Sequence, residues 1–247
     1  MTRLKQYQRI VLRAALGLVA AALLSAGAVM AAIANPQPFF RHSITAGAVT
    51  IRAAHPISAA AVPYLETLDI TPRMGMAALD GHYTVYLAED GWRARLFFGL
   101  APMAGGITFA GLAPNHAFLS GADFEAGLLI KGENRIAPPR DLAYYLRHEA
   151  NHLALCAELG LVDYVLLPAW VREGIADLAA LGPPDRGQLA EVLGDAPITL
   201  DHMRAFGAYP RARLLADWVL ETQGYDALLQ SDWTEDEALA HFMERDG

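Results

Sequence analysis

An α+β fold is what this sequence predicts, and three observations lead to it. Between about Ser43 and Ser120, short alternating apolar runs are broken by Gly, Pro and Asp-Gly signals. From Pro168 to the end, apolar residues recur at helical spacing instead. Between these regions lies one long amphipathic helix, about Arg140 to Leu159. Strands gathered in one part of a chain and helices in another make the α+β pattern. The expectation is a strand-rich N-terminal lobe over a central helix, with an all-helical C-terminal lobe.

The first element reads as targeting. Arg3, Lys5, Arg9 and Arg13 precede an uncharged, almost wholly apolar run from Ala14 to Ala34. At helical rise that run spans about 31 Å, the thickness of a bilayer core. The basic residues place the N-terminus in the cytoplasm and the body across the membrane. Ala32-Ile33-Ala34 also offers a small-residue cleavage signal after Ala34. Residues 1–34 are therefore a single-pass anchor or a cleaved signal peptide, and either leaves the body extracytoplasmic. Residues 35–44, opening Asn35-Pro36-Gln37-Pro38, read as a linker, and 45–247 as the folded domain.

Strands are expected at Val49-Thr50-Ile51, at Tyr83 to Tyr86 and at Ala94 to Phe98, with turns at Asp80-Gly81 and Asp90-Gly91. Ala59 to Leu68 reads as an intervening helix. Ile107-Phe109, Ala117-Leu119 and Leu128-Ile130 are further short strands, which completes a lobe over 45–137. Pro138-Pro139 then opens the long helix and Gly160 stops it. A helix from Pro168 ends at Gly182-Pro183-Pro184, and others are expected at 186–193, 200–206, 210–223 and 235–244.

Composition narrows the function classes. The net charge is −8, and four of the basic residues lie in the first 13 positions, so the body is more acidic still. An acidic body without a basic stripe argues against a nucleic-acid partner. One cysteine, Cys156, excludes an intramolecular disulfide and reads as a small buried apolar residue.

The chemistry concentrates in His148-Glu149-Ala150-Asn151-His152. Histidines four apart on a helix share one face and can grip one metal ion. The glutamate between them reaches the neighbouring edge of that face. This is the HExxH arrangement, in which Zn2+ polarises water and a carboxylate takes its proton. One Zn2+ per chain is expected. A third ligand is required if a coordination position is to stay open, and Glu173 follows His152 by 21 residues, a gap that suits two antiparallel helices. Asp177, one turn beyond Glu173, can accept the free N–H of a ligating histidine and fix its tautomer.

HEANH followed by Trp170-Val171-Arg172-Glu173-Gly174-Ile175-Ala176-Asp177 resembles the gluzincin metallopeptidases, the thermolysin-like clan, and a W-x-x-E-G pattern of single-domain members of the peptidase MA type. The similarity covers about residues 105 to 240. It implies a zincin-like fold, His148, His152 and Glu173 as ligands, Glu149 as general base and Asp177 behind a ligand. In that clan an edge strand binds substrate backbone, for which Ile107-Phe109 and Ala117-Leu119 are both candidates here.

Amide hydrolysis also needs a donor for charge on the carbonyl oxygen. The run from Tyr209 to Leu220 resembles the helix after the active site in several gluzincins, which implies Tyr209, with His202 and Tyr225 as alternatives. His42, His55, His82, His116 and His241 take ordinary structural readings. Arg147 and Arg172 flank the ligands and are expected in plain salt bridges. The functional expectation is a zinc metallopeptidase acting on polypeptides of the cell envelope. The competing expectation is a non-catalytic envelope scaffold or binding protein of the same fold.

Overall fold

The computed structural model of the chain describes residues 2–70, 83–99, 101–185, 192 and 197–245. Helix α1 (Thr2–Ala34) is long, and its stretch Ala15–Ala34 is apolar enough to cross a membrane. Near its end Ile33 is buried in an aromatic cluster with Phe40, Tyr86, Phe97 and Phe118. A hairpin follows, β1 (His42–Ala46) and β2 (Val49–Ala53), closed through Gly47 at φ +56°. Such a backbone conformation is open to glycine at no steric cost. After α2 (Ala61–Thr67) come β3 (Tyr83–Leu87), α3 (Gly91–Phe98), β4 (Gly106–Thr108) and β5 (His116–Leu119).

These five strands form one sheet in the order β1-β2-β3-β5-β4. Strand β3 runs parallel to both β2 and β5, whereas β4 is an antiparallel edge on β5. Alternation along the strands divides the two faces. Tyr83, Val85 and Leu87 on β3, with Ala117 and Leu119 on β5, face one core; Tyr86 and Phe118 face the aromatic cluster on the other side. A second sheet, β6 (Ala122–Asp123), β7 (Leu128–Lys131) and β8 (Asn134–Ile136), leads into helix α4 (Leu142–Leu159).

Helix α4 is the centre of the molecule. Leu142, Leu146, Ala150 and Leu153 pack under the five-stranded sheet. Ala154 and Leu155, on the opposite side, join a second core with α6 (Ala169–Leu181), α8 (Pro210–Gln223) and α10 (Glu235–Arg245). Short helices α5 (Leu161–Leu166), α7 (Leu200–Phe206) and α9 (Tyr225–Leu229) complete the helical part. Helix α6 packs along α8. At Gly174 a Cβ would stand 2.4 Å from the Ala212 carbonyl oxygen, so only glycine permits that approach.

Several expectations are corrected. Ala94 to Phe98 is helical, because Asp90 caps α3 by accepting from the Arg93 N–H at 3.1 Å. Asp90-Gly91 thus marks a helix start, and five residues of apparent alternation were too few to separate the two periods. Residues 35–44 do not read as a bare linker, since Phe40 is buried and β1 begins at His42. The central helix begins at Leu142, where the Asp141 carboxylate accepts from the Tyr144 N–H at 2.9 Å. A separate helix, α5, fills the connection before Pro168. The Asp80-Gly81 turn, His82 and most of the helix expected at 186–193 lie outside the described residues.

Candidate metal centre

Helix α4 carries His148 and His152 one turn apart, both buried, with their Nε2 atoms 3.1 Å from each other. The packed neighbour α6 brings Glu173 Oε2 to 3.3 Å from His148 Nε2 and 3.4 Å from His152 Nε2. Three side chains from two helices therefore converge in a nearly equilateral triangle, a group that could hold a metal ion. The chemistry of the donor set fits one. His148 Nδ1 lies 3.1 Å from Asp177 Oδ1, which fixes that nitrogen as the donor and turns Nε2 toward His152 and Glu173. Two imidazole nitrogens and a carboxylate oxygen are donor types that zinc takes, and here they converge at such distances. Tetrahedral bonds of about 2.0–2.1 Å would set ligand atoms about 3.3–3.4 Å apart; the two edges to Glu173 match at 3.3 and 3.4 Å, and the edge between the histidines is shorter at 3.1 Å.

The groups behind the ligands are more numerous than the sequence showed. Asp177 is fully buried and accepts from the Tyr144 hydroxyl through Oδ1 and from the Tyr209 backbone N–H through Oδ2 at 2.8 Å. The Tyr144 hydroxyl also stands 3.3 Å from His148 Nδ1. On the other histidine, the Tyr164 hydroxyl of α5 lies 3.2 Å from His152 Nδ1. Sequence reasoning missed both tyrosines. Tyr144 had a usable signal, being one turn before His148 on the same face. Tyr164 had none, because its placement depends on the turn at Gly160 (φ +77°).

Charge in the site follows from this packing. Burial disfavours a charged His148, but the carboxylates of Asp177 and Glu173 outweigh it and raise the ring to about 10. Burial likewise works against an ionised Glu173, yet the two imidazoles hold its carboxyl far below the usual range. Without a metal, a proton on His148 thus supplies positive charge between the Asp177 and Glu173 carboxylates. Glu149 is buried, which pushes its carboxyl up; the histidines and a hydrogen bond with Thr108 pull the other way.

Glu149 faces the sheet edge. At Gly106 a Cβ would come within 2.5 Å of Glu149 Oε1, so the bare glycine backbone lets the carboxylate lie against β4. Of the two candidate strands, only the one near Ile107 is an edge; β5 is interior. Gly105, Gly106, Ile107 and Thr108 wall a cleft of about 580 Å³ that opens over the histidines, Glu149 and Glu173.

Tyr209 precedes α8, and its ring stacks on His148 with centroids 5.8 Å apart and planes at 13°. Its hydroxyl bonds Glu173, and burial followed by the surrounding carboxylates raises it well above the ordinary tyrosine range. The other donor candidates are elsewhere: His202 Nδ1 accepts from the Thr199 N–H in the cap of α7, and the Tyr225 hydroxyl bonds Glu158. Arg147 donates to the Asp69 carbonyl and Arg172 lies over the Tyr164 ring, so neither forms the expected salt bridge among the described residues. Cys156 is buried in the core, as expected. Comparison of the chain with family models, curated proteins and solved structures finds no match.

Proposed function

We propose that the chain is a zinc-dependent metallopeptidase of the gluzincin type, with a zincin-like fold, anchored by α1 and acting on polypeptides of the cell envelope. The observation that carries the reading is the convergence of His148, His152 and Glu173 beside a buried Glu149, in a cleft walled by a strand edge that is unpaired among the described residues. The two-histidine, one-glutamate set is the ligand set of catalytic zinc sites that keep a position open. When bound, zinc would act as a Lewis acid, polarising a carbonyl and lowering the pKa of water.

The chain's own residues supply the rest. Asp177, held by Tyr144, orients His148, and Tyr164 orients His152. The edge of β4 offers backbone N–H and C=O groups to an extended peptide, which holds the scissile bond over Glu149. Glu149 accepts a proton from the attacking water and delivers it to the leaving amine; burial keeps its carboxyl basic enough for both. The Tyr209 hydroxyl, freed from Glu173, is the donor to the carbonyl oxygen.

The test is metal dependence. The protein stripped by a chelator should lose hydrolysis of a denatured-protein substrate and regain it with one equivalent of Zn2+. A zinc-loaded sample inert toward denatured proteins and mixed peptides would sink the peptidase reading and favour the scaffold.

A further inference from the structure

One positive charge in the cleft has no part in this chemistry. Arg140 lines the cleft just ahead of the Asp141 cap of α4. Its Nη2–H donates to the Tyr145 hydroxyl at 2.6 Å, and its Cζ lies 5.8 Å from that ring's centroid. Tyr145 stands against the start of the edge strand, since a Cβ on Gly105 would meet its Cζ at 2.6 Å. Arg140 is thereby placed at the Gly105 end of β4. Its Nε is buried without an acceptor, and its guanidinium makes no ion pair among the described residues. Lys131 on β7 is a second cation nearby: burial, and then Arg140, hold its ammonium below the ordinary lysine range.

A half-buried guanidinium whose protein partner is a neutral phenol is an unfinished arrangement. Its planar fork matches a carboxylate in two parallel hydrogen bonds. The metal end of the same cleft carries Glu149 and Glu173, in a body that is acidic overall. An anionic peptide would be repelled there unless a cation met it. Arg172 also has a buried Nε without an acceptor, but its guanidinium is already stacked 5.3 Å from the Tyr164 centroid. We propose that Arg140 receives a substrate carboxylate, so that the enzyme selects peptides bearing a chain-terminal or side-chain carboxylate close to the cleaved bond. This rests on the peptidase reading and names its substrate class.

The experiment separates the two claims. The zinc-loaded full chain in detergent is titrated with monohydroxamates of dicarboxylic acids, from succinic to suberic, and with alkyl hydroxamates of matching length. At the best length the carboxylate should tighten binding by about tenfold or more, the scale of a charge-assisted hydrogen bond. Arg140→Gln should erase that ratio and Arg140→Lys retain part of it. A ratio measured on one preparation cancels any loss of metal or of folded protein. Equal affinities in the parent, or an undiminished ratio in Arg140→Gln, would overturn the proposal. If no hydroxamate binds, the metal site and the proposal fall together. If the ratio is found but no peptide is cleaved, the peptidase reading falls and takes the peptide substrate class with it, while Arg140 stands as a carboxylate site. Peptide pairs differing in Glu against Gln, or in terminal carboxylate against amide, then name the source; a kcat/KM preference in neither pair would also overturn it.

Discussion

At the scale of single residues, the site is organised around which nitrogen of each histidine is free. Asp177 claims His148 Nδ1, and the Tyr164 hydroxyl stands at His152 Nδ1. The account predicts that Asp177→Asn keeps the fold and weakens metal binding by about 10–100-fold, the usual loss when such a partner is changed. Competition against a zinc chelator measures it, and an affinity equal to the parent's would remove Asp177 from the role. A pH dependence follows from His148. Its ordinary pKa of 6.5 is raised to about 10 in the metal-free protein, so the ring is protonated across that interval. Binding a metal must expel that proton, so log affinity should rise with pH by about one per unit between those limits. Calorimetry at pH 8 in buffers of different ionisation enthalpy should find about one proton released by His148; none released would contradict the assignment. The convergence of His148, His152 and Glu173 with Asp177 was legible in the sequence because four-residue spacing on a helix fixes a shared face for each pair. Arg140 was not, since its place in the cleft depends on Tyr145 and on a strand more than thirty residues earlier.

At the scale of elements, two close approaches set the site. Helix α6 packs directly on α4, where it brings Glu173 to the histidines, and on α8, where Gly174 exposes bare backbone to Ala212. Replacing a helical glycine by alanine ordinarily stabilises by roughly 0.5–1 kcal/mol. Here the added carbon meets a backbone oxygen that cannot rotate away, and overpacking of about 1–3 kcal/mol should win. Gly174→Ala is therefore expected to be less stable in urea and to bind metal more weakly; a more stable variant would show that the α6–α8 contact is not tight. Gly106 plays the matching part at β4. Sequence reasoning found most of the strands and long helices from periodicity. It failed at α3, where Ala-Arg-Leu-Phe-Phe satisfies both periods, and the Asp90 cap was the signal that distinguishes them. Strand order was not legible at all: β4 becomes an edge only because β5 inserts beside β3, a pairing between residues far apart in the chain.

At the scale of the whole molecule, one helix joins the two halves. The sheet covers one side of α4 and the α6–α8 pair covers the other, so the cleft forms where α4 emerges between them. The apolar helix α1 is continuous to Ala34, and Ile33 is buried in the aromatic cluster on the far face of the same sheet.

The central claim is that this cleft hydrolyses peptides with Glu149 as the proton acceptor. Glu149→Gln keeps the size of a buried side chain and removes its basicity, while His148, His152 and Glu173 stay untouched. The most direct measurement is therefore zinc content and peptide hydrolysis on the same purified Glu149→Gln preparation. The account predicts one zinc per chain and a loss of hydrolysis of roughly 10²–10⁴-fold, the scale of general-base catalysis. Parental hydrolysis with zinc bound would contradict it.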